Sequence, residues 1–120
     1  MDRPELEARS QAFALAVKQA CDRVRTEPSW RRLADQLVDA ATSVGANYRA
    51  SGRARSRAEF VAKLGTVNEE ADETVYWLEL LVRGRAAESA ILNPLLEEAY
   101  QLRAIFAASY ATARRRGGKR

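Results

Sequence analysis

The chain has 120 residues, 47% of them hydrophobic and 30% charged, a balance that excludes a disordered chain and suits one soluble domain. Lys and Arg exceed Asp and Glu by 20 to 16, for a net charge of +4, and nearly all the positive charge is arginine. There is no histidine, which excludes Ser-His triads, histidine acid–base catalysis and Glu-x-x-His di-iron sites, and one cysteine, which excludes an internal disulfide.

The apolar residues recur at alternating spacings of three and four, the period of amphipathic helices. The first predicted helix covers residues 3–25, opens with the capping pair Asp2 and Glu5 around Pro4, and carries Leu6, Phe13, Val17 and Val24. Cys21 lies on its apolar face as a small core residue. Pro28 restarts the chain, and a second helix over residues 28–51 carries Trp30, Leu33, Leu37, Ala40, Val44, Asn47 and Ser51.

Ser56-Arg57-Ala58-Glu59 is a capping box that starts a third helix over residues 57–83. Its stripe is an unbroken heptad of Phe60, Leu64, Val67, Ala71, Thr74, Leu78 and Leu81, closed by Gly84. The fourth helix is placed at residues 88–115. Its start is ambiguous, because Asn93-Pro94 reads as a cap and first position although residues 86–92 are also helix-compatible. The glycine-bearing basic tail at residues 117–120 is expected to be disordered. Residues 1–116 therefore form one all-α domain, an antiparallel up-down-up-down four-helix bundle. No long apolar run and no signal-peptide pattern occurs, so a cytoplasmic location away from membranes is expected.

The basic residues concentrate. Arg49, Arg53, Arg55 and Arg57 surround the turn between the second and third helices. In an up-down bundle Arg114, Arg115, Arg116, Lys119 and Arg120 return to that end, with Arg3 and Arg9 nearby, so eleven basic residues gather there. They face mainly Asp2, Glu5, Glu7 and Glu59, a balance suited to phosphate backbones. A solvated arginine-rich end is the plainer alternative. Arg55 and Arg57 sit at a helix start, where cations are electrostatically disfavoured, and a retained cost points to use.

Two further constellations compete with that reading. Glu69, Glu70, Asp72 and Glu73 have the spacing of a Mg²⁺-binding helix of nucleotide pyrophosphohydrolases. The following helix offers only Glu88, Glu97 and Glu98 and no aspartate, so a solvated or interface-facing strip is the simpler account. Asn47 falls on the expected core stripe, where a buried amide must be hydrogen-bonded and commonly sets register. Tyr76, Trp77, Trp30, Tyr48, Ile91 and Ile105 lie beside the stripes, an apolar surplus that suits self-association.

Residues 43–81 carry Ser43-Val44-Gly45-Ala46-Asn47-Tyr48-Arg49, the Ser56-x-x-Glu59-Phe60 start, and Glu69-Glu70-Ala71-Asp72-Glu73-Thr74 followed by Trp77-Leu78. This stretch resembles the bacterial four-helix-bundle family encoded within 23S rRNA intervening sequences, and a weaker likeness extends over residues 13–113. The resemblance implies a homopentameric barrel; the residues themselves, without histidine and with an incomplete carboxylate set, lead to the expectation of no cofactor and no catalytic residue. Relatives include the accessory protein of diversity-generating retroelements, which implies RNA and a reverse transcriptase as partners. Within the shared motif, Glu70 and Glu73 read as partners for arginines, with Arg49 the natural candidate across a subunit boundary. Many members of the family carry Glu where Ala50 stands here, which weakens a carboxylate-centred activity.

Overall fold

The computed structural model describes residues 1–118 and contains four α-helices: α1 (Arg3–Val24), α2 (Arg31–Ser51), α3 (Arg57–Arg83) and α4 (Ser89–Gly118). No strand occurs among the described residues, and no helix there is long and apolar enough to cross a membrane. The helix starts obey local chemistry. The Asp2 side chain accepts from the Glu5 backbone N–H at 2.9 Å, and Ser56 Oγ accepts from that of Glu59 at 3.1 Å.

Pro28–Trp30 forms a separate 3-10 turn, so α2 begins three residues later than its sequence suggests. α4 begins at Ser89, with the Glu88 carbonyl accepting from the Ile91 and Leu92 N–H groups. Pro94 therefore lies inside α4 and is not its first position. Buried Leu92 and Leu95 on either side of Pro94 hold that early turn against the core, which offsets the missing N–H. α4 also continues through Gly118, because arginines in its last turn favour the helix C-terminus. Of the tail expected to be disordered, Lys119 and Arg120 lie outside the described residues.

The helices enclose one core in a body 51 Å long and 24 by 21 Å across. α2 and α3 pack together, as do α3 and α4, and α1 lies against α2 and more sparsely against α4. Along α1, Arg3 meets Tyr48 and Ser51, Ser10 meets Gly45, and Cys21 meets Ala34. The core is aliphatic around Leu37, Leu78, Leu81 and Leu92, with Phe106 and Tyr48 packed ring to ring at 5.2 Å.

Trp30, Leu33, Asn47 and Phe60, all expected on core stripes, are only half-buried. The α2 stripe runs through Ala34, Leu37, Ala41, Val44 and Tyr48. A real helix turns every 3.6 residues, so a strict seven-residue stripe drifts round its surface and Tyr48 replaces Asn47. Phe60 is likewise half-buried, since it sits in the first turn of α3 near the solvent-facing end.

The end of α3 is an exposed chain reversal with an unusual residue. Arg85 has φ 56°, the left-handed conformation, and follows Gly84, whose φ is ordinary at −81°. The Ala86 N–H donates to Leu81 O and the Arg85 N–H to Val82 O, the paired bonds of a Schellman motif. Glycine normally fills the Arg85 position. Gly84 is instead required one residue earlier, because the Trp30 indole occupies the space a Cβ would take.

Candidate functional site

At one end of the molecule the start of α1, the end of α2, the start of α3 and the end of α4 converge. α2 leaves carbonyls without helical partners there. The turn amides of Gly52, Arg53 and Ala54 take up Arg49 O, Ala50 O and Ser51 O. Tyr48 O is bonded by Arg3 Nη1 at 3.0 Å and by Ser51 Oγ at 2.6 Å. The Arg3 guanidinium also donates to Ser51 Oγ at 3.2 Å and lies 4.3 Å from the Tyr48 ring centroid. Burial is the main cause that pushes the Tyr48 hydroxyl above the usual tyrosine range, against the Arg3 charge that lowers it.

Arg57, the first residue of α3, donates from Nη2 to Ala113 O of α4 at 3.1 Å and stands 5.4 Å from the Phe60 ring centroid. Arg3, Arg57 and Arg116 line a cleft of about 460 Å³, together with Tyr48, Phe60, Ser109 and Thr112. Arg53 and Arg55 are exposed on the turn beside it. Arg114 lies 5.4 Å from the Tyr110 ring centroid, and Arg115 Nη2 is 3.4 Å from Thr112 Oγ1. Arg49 is exposed too, but it lines a different groove, between α1 and α2, with Glu7 and Gln11.

Neutralisation separates these arginines from some of the others, although exposed Arg31, Arg32, Arg83 and Arg85 at the opposite end also form no ion pair among the described residues, and Arg3 pairs with Glu7 at 3.8 Å. Among the described residues Arg49, Arg53, Arg55, Arg57, Arg114, Arg115 and Arg116 form no ion pair. Arg9, expected nearby, is held by Glu98 and Gln101 of α4. Arg23 pairs with Glu88, Arg25 with Asp22 and Asp35, and Arg103 with Asp72. Arg3, named in the sequence only as a neighbour of the basic end, proves to be a wall of the cleft. Its signal was its place at the first position of α1, opposite the end of α2.

The shared motif residues of α2 and α3 meet on another face. Asn47 Nδ2 donates to Ser43 O at 3.0 Å and Ser43 Oγ at 2.9 Å. Its amide thus bonds inside its own helix, a correction to the expected core amide. Ser43 also stands close enough to Glu70 of α3 to favour its charged form. Burial first, then the charges of Glu73 and Glu69, raise Glu70 above the usual carboxylate range, and the Ser43 hydroxyl offsets part of this.

Farther along α3, Trp77 Nε1 donates to a Glu73 oxygen at 3.1 Å, and the Tyr76 and Trp77 rings meet edge to face at 5.1 Å. Tyr76 is 55% exposed. Glu70 of α3 and Arg49 of α2 thus lie on different sides of α2, with Glu70 near Ser43 and Arg49 near Glu7. Among the described residues no three of His, Cys, Asp and Glu converge as a metal site would require.

The chain matches the family described as 23S rRNA-intervening sequence protein over residues 5–108. No curated protein matches it. Among solved structures it is similar to a protein with unknown function from the S23 ribosomal protein family of Bacteroides thetaiotaomicron. The two share 28% identity and a TM-score of 0.80, over 88% of this chain and 97% of the other. The matched span takes in all of α2 and α3, with Ser43, Asn47 and Glu70, and the basic turn. The chain belongs to the 23S rRNA-intervening sequence protein family.

Proposed function

We propose that this chain is a non-enzymatic, cytoplasmic bundle protein that binds RNA or another nucleic acid through its basic end. The observation that carries the reading is the gathering at that end of six exposed arginines without an ion pair among the described residues, Arg53, Arg55, Arg57, Arg114, Arg115 and Arg116. Unpaired guanidiniums offer phosphate contacts that release counterions and carry no sequence preference. The test is a gel-shift titration of structured RNA across a salt series. Affinity should fall steeply with salt and drop at least about tenfold in the Arg53→Glu, Arg55→Glu double variant. Absence of binding at low salt, or indifference to that variant, overturns the reading.

The finer architecture that fits this function is an antiparallel up-down-up-down bundle assembled as a homopentameric barrel. Half-buried Trp77, Ile91 and Ile105 and exposed Tyr76 supply apolar surface for such contacts. Five basic ends would then share one positive ring. Kinship with retroelement accessory proteins would make a reverse transcriptase a further partner. Light scattering on the purified chain tests the assembly, and a monomer at micromolar concentration contradicts it.

A second reading is a protein-interaction module using the strip of Glu70, Glu73, Tyr76 and Trp77. The exposed Tyr76 ring favours it, since aromatic residues anchor protein interfaces. A partner captured by the wild type in high salt and lost by Tyr76→Ala would support this reading.

A further inference from the structure

The cleft at the basic end has a composition its neighbours lack. Three arginines from three helices line it, the Ser109 and Thr112 hydroxyls add polar groups, and no carboxylate is present. The other sizeable clefts each include one: Glu7 beside Arg49, Glu88 beside Arg23, and Glu79 beside Arg83. No carboxylate lines the cleft walled by Arg3, Arg57 and Arg116, although Arg3 also pairs with Glu7 outside it at 3.8 Å.

Two of those guanidiniums are held in place. Arg3 is fixed by Tyr48 O, Ser51 Oγ and the Tyr48 ring, and Arg57 by Ala113 O and the Phe60 ring. Each arginine carries five N–H donors, so most of those on Arg57 and several on Arg3 are left for a ligand. Holding them beforehand lowers the entropy lost when an oxyanion binds. The volume of about 460 Å³ falls within the range of small-molecule sites.

The geometry points to this cleft as a binding site for a terminal phosphate, a phosphomonoester carried by a strand end or a free mononucleotide. A phosphomonoester bears roughly −1.5 to −2 charge at neutral pH, against about −1 for a backbone diester. Three guanidiniums, of which only Arg3 has a carboxylate partner, Glu7 at 3.8 Å, reward the larger charge. The inference rests in part on the nucleic-acid reading of the basic end, and the two fail separately.

The experiment uses the full chain and one single-stranded RNA sequence made three ways: with a 5′-phosphate, with a 3′-phosphate, and with hydroxyls at both ends. Fluorescence anisotropy gives the affinities, with adenosine monophosphate and inorganic phosphate as competitors. One phosphorylated form should bind about tenfold tighter than the hydroxyl form, the worth of one charge-assisted hydrogen bond. Arg116→Ala, at an exposed position, and Arg57→Gln should abolish that preference, whereas Arg53→Glu should weaken all three strands alike. Salt-sensitive binding with no end preference, or a preference that survives Arg116→Ala, overturns the cleft and leaves the basic end standing. Mononucleotide binding that Arg116→Ala removes, without strand binding, supports the cleft and rejects the basic-end reading.

Discussion

The Arg9 guanidinium closes a fork on the Glu98 carboxylate, with Nε 2.7 Å and Nη2 2.6 Å from its two oxygens. This pair spans the sparse seam between α1 and α4, and both side chains are mostly withdrawn from solvent. Bidentate geometry and partial burial make it stronger than an ordinary surface pair. The Glu98 bond also raises the Arg9 pKa, so the guanidinium stays charged.

Arg9→Ala and Glu98→Gln should each lower stability by about 1–2 kcal/mol. A double-mutant cycle read by urea unfolding should give a coupling of ~1 kcal/mol. Additive losses would mean that the fork contributes nothing of its own.

The turn after α3 yields opposite effects at adjacent positions. Gly84→Ala drives a methyl into the Trp30 indole and should cost about 1–3 kcal/mol. Arg85→Gly relieves a left-handed arginine and should stabilise by up to ~1 kcal/mol. Thermal melts in a Trp77→Phe background would check both, with Trp30 emission shifting to the red only in Gly84→Ala. A neutral Gly84→Ala would show that Trp30 moves aside without cost.

The Cys21 thiol is buried against Ala34 O, 3.8 Å from Sγ, and burial pushes its pKa up to about 11. A thiol that holds its proton and has no solvent access reacts slowly. Alkylation by iodoacetamide at neutral pH should therefore be at least about a hundredfold slower in the native chain than in denaturant. Labelling at comparable rates would place Cys21 in a region that opens readily.

Glu70 is raised above the usual carboxylate range mainly by burial, so its proton is held more tightly in the folded state than in the unfolded. The sign follows: stability falls as pH rises from Glu70's ordinary value through its elevated folded one. Glu70→Gln should raise the melting temperature at pH 7 by on the order of 2 °C, with the gain fading towards pH 4. Ser43→Ala removes the hydroxyl that favours the charged form and should lower the melting temperature at pH 7. A Glu70→Gln effect independent of pH would assign it to packing.

Legibility from sequence tracks the distance over which each interaction acts. Asp2 with Glu5 and Ser56 with Glu59 were readable as caps because donor and acceptor lie within one turn. The α3 stripe from Leu64 to Leu81 was readable because its heptad repeats without interruption, and those residues are buried. On α2 the same template selected Asn47 over Tyr48, since 3.6-residue turns drift against a seven-residue repeat and only packing decides which neighbour goes inside. The start of α4 was ambiguous in sequence for a related reason. Asn93-Pro94 has the composition of a cap, but Leu92 and Leu95 already face the core.

The amino-acid sequence by itself determined the four helices, their caps, the family and the total of positive charge, all properties of short segments or of composition. The tertiary structure decided which charges remain available. Arg9 and Glu98 are 89 residues apart, and nothing local in either segment announces that they neutralise each other. Arg3, Arg57 and Arg116 likewise share one cleft only because four helix ends meet. Charge is additive along a chain, but its cancellation depends on distances of a few ångströms that folding alone sets.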